Sequence, residues 1–161
     1  VLYSDFDKSF LHEITYHKLI KASEFLYSKN TNYRLVIKDA LRPFEVQKMM
    51  WDLYQGDNKL NFIAPPDKDS MHNYGMAVDI WLVEVFTDAY TPNQELDMGC
   101  EFDEFSERAH FDYENLTEAQ RSNRTLLREV MRLAGFIAYD HEFWHFEAMH
   151  KDWVRENCVR V

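Results

Sequence analysis

The fold is decided by residues 70–83, which read SMHNYGMAVDIWLV. Within this stretch, residues 78–83 are mostly β-branched or aromatic, which predicts a buried strand that carries Asp79 into the interior. His72 precedes the strand, and Gly75 allows a tight backbone path between the imidazole and the carboxylate. The pair could share a metal ion. Taken alone, however, such a pair is more often an ion-paired Asp and an unrelated loop His, so only further ligand residues can indicate a metal site.

Helix and strand patterns alternate on both sides of this strand. Before it, the sequence predicts a helix over 10–28 with Ser9 near its N-cap, a strand over 33–37, a helix from Pro43 to near Gly56, and an irregular connection over 56–71. After it, the sequence predicts an acidic, unpatterned segment over 85–115, a helix with a Thr117–Gln120 capping box that stops at Gly135, and strands over 136–139 and 143–146. We interpret the acidic segment as one that covers a substrate. This order predicts an α+β fold, with helices flanking a small, mostly antiparallel sheet.

The composition limits the classes of protein to be considered. A chain of 161 residues, 46% of them hydrophobic, is expected to form a single domain over 1–161. Its net charge of -10 repels phosphate backbones, so nucleic acid is not an expected partner. No apolar run approaches the ~18 residues of a membrane helix. Cys100 and Cys158 are expected to be buried thiols, with one disulfide as the alternative, which leaves the compartment open.

A second cluster of candidate ligands lies in residues 141–145, which read HEFWH. If this segment were a helix, His141 and His145 would be zinc ligands one turn apart, and Glu142 would be the general base of a zincin protease. The context argues against a helix, because Gly135 has just ended one and aromatic side chains crowd the segment.

The same cluster read as a strand predicts a different zinc site. Glu142 and His145 would point to opposite faces of a regular strand, so a turn or bulge must bring both toward one ion. His145 then joins His72 and Asp79 as an open three-ligand site, and Glu142 takes the proton of the water in the fourth position. In this interpretation His141 has no part in the site.

Several motifs, in the same chain order, resemble the zinc D,D-peptidases that cleave D-alanyl-D-alanine in bacterial cell walls and their precursors. The metal motifs are Ser70, His72, Gly75, Ala77 and Asp79, together with Glu142-Phe143-Trp144-His145. Three further stretches narrow the resemblance to the D-Ala-D-Ala dipeptidases, which include vancomycin-resistance enzymes. They are Asp39-Ala40-Leu41-Arg42-Pro43, Leu96-Asp97-Met98-Gly99 with Phe102-Asp103, and Ser106-Glu107-Arg108-Ala109-His110. The likeness runs from about residue 33 to 147.

The resemblance implies a D,D-peptidase fold, a Zn²⁺ cofactor and hydrolysis of a small D,D-dipeptide in a bacterial cytoplasm or periplasm. It implies that His72, Asp79 and His145 bind zinc and that Glu142 is the catalytic base. Two other outcomes stay open at this stage. One is a peptidoglycan carboxypeptidase or endopeptidase with the same zinc site, and the other is a zinc-stabilised binding domain without catalysis.

The resemblance also implies roles for three residues that would meet the substrate. Arg42 would stabilise the oxyanion, a role that suits a guanidinium because it cannot lose its charge. Asp103 would bind the free amino group of the dipeptide, which explains why longer chains blocked at that end would be rejected. Ser70 would contact the substrate carboxylate. Without the resemblance, Arg42 would be interpreted as an arginine paired with Asp39, Asp103 as one acid among many, and Ser70 as a turn residue.

The sequence departs from the family pattern at three positions. Phe143 stands where Trp is usual, Leu41 where Tyr is common, and Trp81 where a small polar residue often follows the zinc Asp. These changes leave the metal set intact. They are expected to reshape the pocket and so to affect the choice of substrate more than the reaction.

Overall fold

The architecture comes from a computed structural model that describes residues 8–54, 63, 65, 67–88 and 90–161. In this part of the chain the helices are α1 (Glu13–Lys29), α2 (Phe44–Leu53), α3 (Glu118–Leu133) and α4 (Lys151–Asn157). The strands are β1 (Tyr33–Asp39), β2 (Ala77–Glu84), β3 (Gln94–Glu95), β4 (Ile137–Ala138) and β5 (His145–Glu147). None of the helices in these ranges combines the length and apolar character that crossing a membrane requires.

The strands form one antiparallel sheet with β2 at its centre. Its order is β1-β2-β5-β4, and β3 pairs with the far end of β2. The register places Asp79 opposite Asp39 on one side and opposite His145 on the other. The pairing with β1 shifts between Ile37 and Asp39, an irregularity of the kind that redirects side chains at the end of a strand. The predicted α+β fold is therefore confirmed, and the register itself assembles the site.

The hydrophobic core lies between the sheet and the two longest helices. Strand β2 is buried along its length up to Val83, and α1 and α3 both pack against the sheet and each other. The core side chains of these helices are Ala22 and Leu26 from α1, and Leu127, Val130 and Met131 from α3. Because side chains alternate along a strand, Ile80 and Asp79 lie on opposite faces of β2. Asp79 is thus held by a rigid, fully packed strand.

The sequence located α3 most accurately. The Thr117 side chain accepts a hydrogen bond from the backbone N–H of Gln120, and the Gln120 side chain accepts one from Thr117, as the capping box predicts. Gly135 has a φ of 88°, the left-handed conformation expected just beyond a helix. The strand predictions for 33–37 and 78–83 are also confirmed, each extended by one or two residues at its ends.

Other boundaries differ from the prediction. The N-cap of α1 is His12, whose Nδ1 accepts from the backbone N–H of Ile14, and not Ser9. Pro43 is the N-cap of α2 rather than its first helical residue. Residues 56–62, 64 and 66 of the predicted connection lie outside the described residues, and its last residue opens a short 3₁₀ helix, Met71–Tyr74. Strand β5 begins only at His145, and α4 was not predicted.

Candidate metal centre

The segment that carries His72 is a capped turn held from several sides. Ser70 caps the 3₁₀ helix: its Oγ accepts from the backbone N–H of His72 at 3.3 Å, and Asn73 Oδ1 accepts from the backbone N–H of Ser70 at 2.9 Å. Gly75 ends the turn with a φ of 64°, and a Cβ there would lie 2.8 Å from the backbone nitrogen of His12. Only glycine fits this path, as the sequence indicated.

Three side chains that are distant in sequence meet at one point. Nδ1 of His145 lies 3.2 Å from Nε2 of His72 and 3.0 Å from Oδ1 of Asp79. The remaining pair, Nε2 of His72 and Oδ1 of Asp79, is 3.4 Å apart. Two imidazole nitrogens and one carboxylate oxygen form a donor set that suits divalent transition metals. Within the described residues, this is the group of three such side chains that could hold a metal ion.

The turn that the strand interpretation required is present at residues 142–145. The backbone N–H of His145 donates to the carbonyl oxygen of Glu142 at 3.0 Å, which closes a tight turn just before β5. As a result, Glu142 and His145 both line the same cavity of about 350 Å³. His141 lies apart from the cluster and is exposed, with its ring packed against His110 and Tyr139.

The environment of the cluster controls its protonation. Burial opposes the ionised form of Asp79, but the neighbouring His72 and His145 outweigh it and hold the pKa of this carboxyl far below its ordinary value. Burial likewise opposes the charged form of His145, yet its bonds to Asp79 and Glu147 raise its pKa to about 10. A metal ion would have to displace this proton, so metal affinity should increase with pH.

Two further carboxyl groups face the same cavity with raised pKa values. Burial raises the pKa of Glu142 to about 7, with Asp79 adding to the effect and His145 opposing it. The carboxyl group of Asp103 lines the cavity, and burial by the surrounding protein raises its pKa to about 6. The negative charge of Asp79 adds to this shift. Carboxyl groups with raised pKa values in a cleft are typical of sites that transfer protons or bind charged substrates.

Arg42 is fixed beside the metal cluster by its side chain and by its backbone. Its Nε donates to Oδ2 of Asp39 at 3.0 Å, and its Nη1 donates to Oε1 of the buried Gln47 at 2.8 Å. Its backbone N–H donates to the carbonyl of His72 at 3.0 Å, and the Asn73 side chain donates to its carbonyl at 2.8 Å. The Arg42 guanidinium and the His72 side chain are therefore held by one connected set of hydrogen bonds.

Asp103 and Ser70 also border the cavity. Asp103 has a φ of 57°, a conformation that is uncommon for any residue other than glycine and that often marks a functional position. The structure gives Ser70 the capping role described above, so its predicted contact with a substrate carboxylate stays a prediction. The acidic segment 85–115 contributes Asp103 and Phe105 to the cavity wall.

The three departures from the family pattern lie behind the cavity rather than on its surface. Phe143 and Trp81 are buried with their ring centroids 5.2 Å apart, and both contact Trp144, which does line the cavity. Leu41 also lies off the cavity wall. The expectation that these residues reshape the pocket stays a prediction, and for Phe143 and Trp81 the contact that would carry the effect is the one with Trp144.

Several supporting residues were not found from the sequence. The backbone carbonyl oxygen of Ala40 lies 2.7 Å from Nδ1 of His72, within hydrogen-bond distance. Glu147 lies 3.6 Å from Nε2 of His145, within ion-pair distance. Gln47 and Asn73 hold Arg42. Ala40 and Asn73 act on partners about thirty residues away, so no local pattern marks them. Gln47 and Glu147 lie five and two residues from their partners, and Glu147 shares a strand face with His145.

A cavity that combines a His-Asp-His group with a nearby glutamate is typical of metal-dependent hydrolases. The comparisons with known proteins agree with this class. The chain belongs to the D-Ala-D-Ala dipeptidase family of peptidases, whose family model matches residues 2–159.

Curated members of this family resemble the chain along most of its length. It is 35% identical to a D-alanyl-D-alanine dipeptidase of Escherichia coli over 114 residues, which cover 71% of this chain and 54% of that protein. It is 29% identical to one of Enterococcus faecium over 143 residues, covering 80% of this chain and 67% of that protein. It is 26% identical to a D-alanyl-D-alanine dipeptidase of Synechocystis over 159 residues, which cover 76% of this chain and 62% of that protein. The chain thus spans about half to two thirds of the length of these relatives.

Proposed function

We propose that this protein is a zinc-dependent D,D-dipeptidase that hydrolyses D-alanyl-D-alanine, with residues 1–161 forming one catalytic domain. The observation that carries the proposal is the convergence of His72, Asp79 and His145 in a cavity that also contains Glu142. Family membership supports the choice of substrate, because the curated relatives are named for it.

The spacing of the three side chains supports zinc as the cation. Zinc binds nitrogen and oxygen ligands at about 2.0–2.1 Å in a tetrahedron, which separates the ligand atoms by about 3.3 Å. The distances of 3.0, 3.2 and 3.4 Å among the ligand atoms of His72, Asp79 and His145 lie close to that value. A zinc ion held there would polarise the scissile carbonyl and make a water molecule more acidic.

Glu142 is the proposed general base. Its pKa of about 7 lies near neutral pH, where a carboxyl group can both accept and release a proton. Glu142 takes one proton from the attacking water, whose oxygen forms the new bond to the carbonyl carbon. It then delivers that proton to the nitrogen of the leaving amino acid as the peptide bond breaks. The products are two free amino acids, and no other reactant is needed.

The charged residues on the cavity wall would orient the dipeptide. Arg42 carries a permanent positive charge and lines the cavity, and it would stabilise the negative charge that develops on the carbonyl oxygen. Asp103 would pair with the substrate ammonium group, and Ser70 would donate to its carboxylate. An anionic residue that requires a free amino group explains selection of a dipeptide over a longer peptide.

An assay with three substrates tests the proposed function. We expect the zinc-loaded protein to release D-alanine from free D-Ala-D-Ala, and to act much more slowly on N-acetyl-D-Ala-D-Ala and on a stem pentapeptide ending in D-Ala-D-Ala. Removal of the metal by a chelator should abolish turnover, and added zinc should restore it. Faster turnover of the pentapeptide would instead identify a cell-wall carboxypeptidase.

Replacing Asp103 with asparagine should weaken binding of the free dipeptide. A hydrogen bond to a charged group contributes about 1.5–3 kcal/mol, so we expect KM to rise about tenfold to a hundredfold while metal content stays unchanged. The measurement is steady-state kinetics with D-Ala-D-Ala. The exposed Asp152 on α4 offers a matched control, because Asp152→Asn should leave KM unchanged. An unaltered KM in Asp103→Asn would contradict the assigned role.

A further inference from the structure

Arg124 is a buried positive charge that binds both ends of the segment that carries Asp103. It lies on α3 and is only 1% exposed. Its Nε donates to the carbonyl of Met98 at 2.6 Å. From the other end of the segment, its Nη1 donates to the carbonyl of His110 at 2.7 Å and its Nη2 to that of Arg108 at 2.8 Å. One guanidinium therefore clamps the two ends of residues 98–110.

The face of the same guanidinium contacts the turn that carries Glu142. The central carbon of Arg124 lies 3.9 Å from the ring centroid of Phe143, a close cation–π contact. The backbone N–H of Phe143 donates to the carbonyl of Ala109 at 3.0 Å. Arg124 thus touches both wall segments of the cavity, the one with Asp103 and the one with Glu142.

A buried arginine is a costly choice for a purely structural position. In the described part of the chain, its guanidinium meets carbonyl dipoles, the Sγ of Cys100 at 3.6 Å and an aromatic face rather than a carboxylate. Removing a charge from water is expensive, and an apolar side chain of similar volume often stabilises a core equally well or better. The planar guanidinium does one thing that an apolar residue cannot do, because it holds several carbonyl groups in fixed directions at once.

Asp103 depends on this clamp because it lies in the middle of the held segment. Its backbone has a positive φ, so its place is imposed by the residues around it. The neighbouring Phe102 packs its ring 5.7 Å from that of Trp144, which adjoins Phe143. A shift of the segment relative to the turn would therefore move the carboxylate of Asp103 relative to Glu142.

We infer that Arg124 is a positioning residue that sets the distance between Asp103 and Glu142 and thereby the selection of substrates with a free amino group. This inference rests on the proposed function, in which Asp103 binds that amino group. Lysine cannot replace the clamp, because its compact ammonium group has no planar fork to span the carbonyls and stack on Phe143.

The test compares kcat/KM for D-Ala-D-Ala with kcat/KM for N-acetyl-D-Ala-D-Ala in the zinc-loaded full chain. Their ratio does not depend on the fraction of active enzyme, so partial unfolding does not change it. We expect the ratio to fall at least tenfold in Arg124→Lys, with metal content unchanged. Arg121→Lys is the matched control: Arg121 lies on the same helix, is exposed and donates to the carbonyl of Glu114. Its ratio should equal that of the wild type.

Two further variants keep the test decisive. Phe143→Leu removes the aromatic ring that Arg124 contacts but keeps the bonds of Arg124 to the three carbonyls. The ratio of the two kcat/KM values should fall in this variant too, so it replaces Arg124→Lys if that variant does not fold. Adding Arg124→Lys to Asp103→Asn should lower the ratio no further, since both act on one interaction. Equal losses for the two substrates in Arg124→Lys and Phe143→Leu would overturn the inference. An unchanged ratio in Asp103→Asn would instead refute the proposed role of Asp103.

Discussion

Replacing Asp79 with asparagine should remove the bound metal at chelator concentrations that leave the wild-type protein loaded. In the proposed site Asp79 is the charged ligand, and its Oδ1 lies 3.0 Å from Nδ1 of His145 and 3.4 Å from Nε2 of His72. Loss of an outer hydrogen-bond partner typically costs a metal site ~10–100-fold in affinity, so loss of a charged ligand should cost at least the upper end of that range. Elemental analysis after dialysis against graded chelator measures the effect.

The choice of asparagine separates metal loss from unfolding. Asparagine keeps the shape of the side chain and an oxygen that can still accept a hydrogen bond from an imidazole, whereas alanine would leave the two imidazoles beside a hole. Circular dichroism of the metal-free variant should therefore match that of the metal-free wild type. Thermal melts should show that zinc stabilises the wild type and has little effect on Asp79→Asn.

The matched control for this prediction is His141→Ala. His141 belongs to the HEFWH stretch, but its ring packs on His110 at 4.8 Å and on Tyr139 at 5.3 Å, away from the cluster. We expect this variant to bind metal as tightly as the wild type. The opposite pair of results, in which His141→Ala loses the metal and Asp79→Asn keeps it, would restore the zincin interpretation and contradict the proposed site.

Those parts of the fold that depend on local patterns were accessible from the sequence. The apolar run of β2 predicted a buried strand, and the single polar residue within it, Asp79, stood out for that reason. The capping box at Thr117 and the glycine at 135 located α3, because both are requirements of a helix end and involve neighbours in sequence. The metal motifs were visible for the same reason: each consists of residues only a few positions apart.

Features that depend on tertiary packing were not accessible. Phe143 and Trp144 have the composition of a strand, yet they lie in a turn because the bond from His145 to Glu142 closes there. That turn brings Glu142 and His145 to the same cavity, whereas the sequence pattern showed only that such a turn would be required. Helix α4 has seven residues with one buried side chain, Val154, which is too short a pattern to distinguish from a loop.

Replacing Glu142 with glutamine should nearly abolish turnover while the metal stays bound. Glutamine has the same shape but cannot take a proton from water at neutral pH, and general bases contribute typically 10²–10⁴-fold to the rate. We therefore expect kcat for D-Ala-D-Ala to fall by about that factor, with KM and zinc content close to those of the wild type. Glu156→Gln, an exposed change on α4, should leave all three quantities unaltered. Turnover at the wild-type rate in Glu142→Gln would refute the assignment.

The pH profile gives a second measure of the same role. The pKa of Glu142 is raised, so the carboxylate needed as a base is lost as the pH decreases through about 7. A bound cation favours the carboxylate and shifts this loss to lower pH. We expect kcat/KM of the wild type to decrease on the acid side with this ionisation, and the residual activity of Glu142→Gln to lack that limb. Burial also raises the pKa of Asp103, to about 6, so Asp103→Asn is the control: it should keep the Glu142 limb, which assigns that limb to the base rather than to substrate binding.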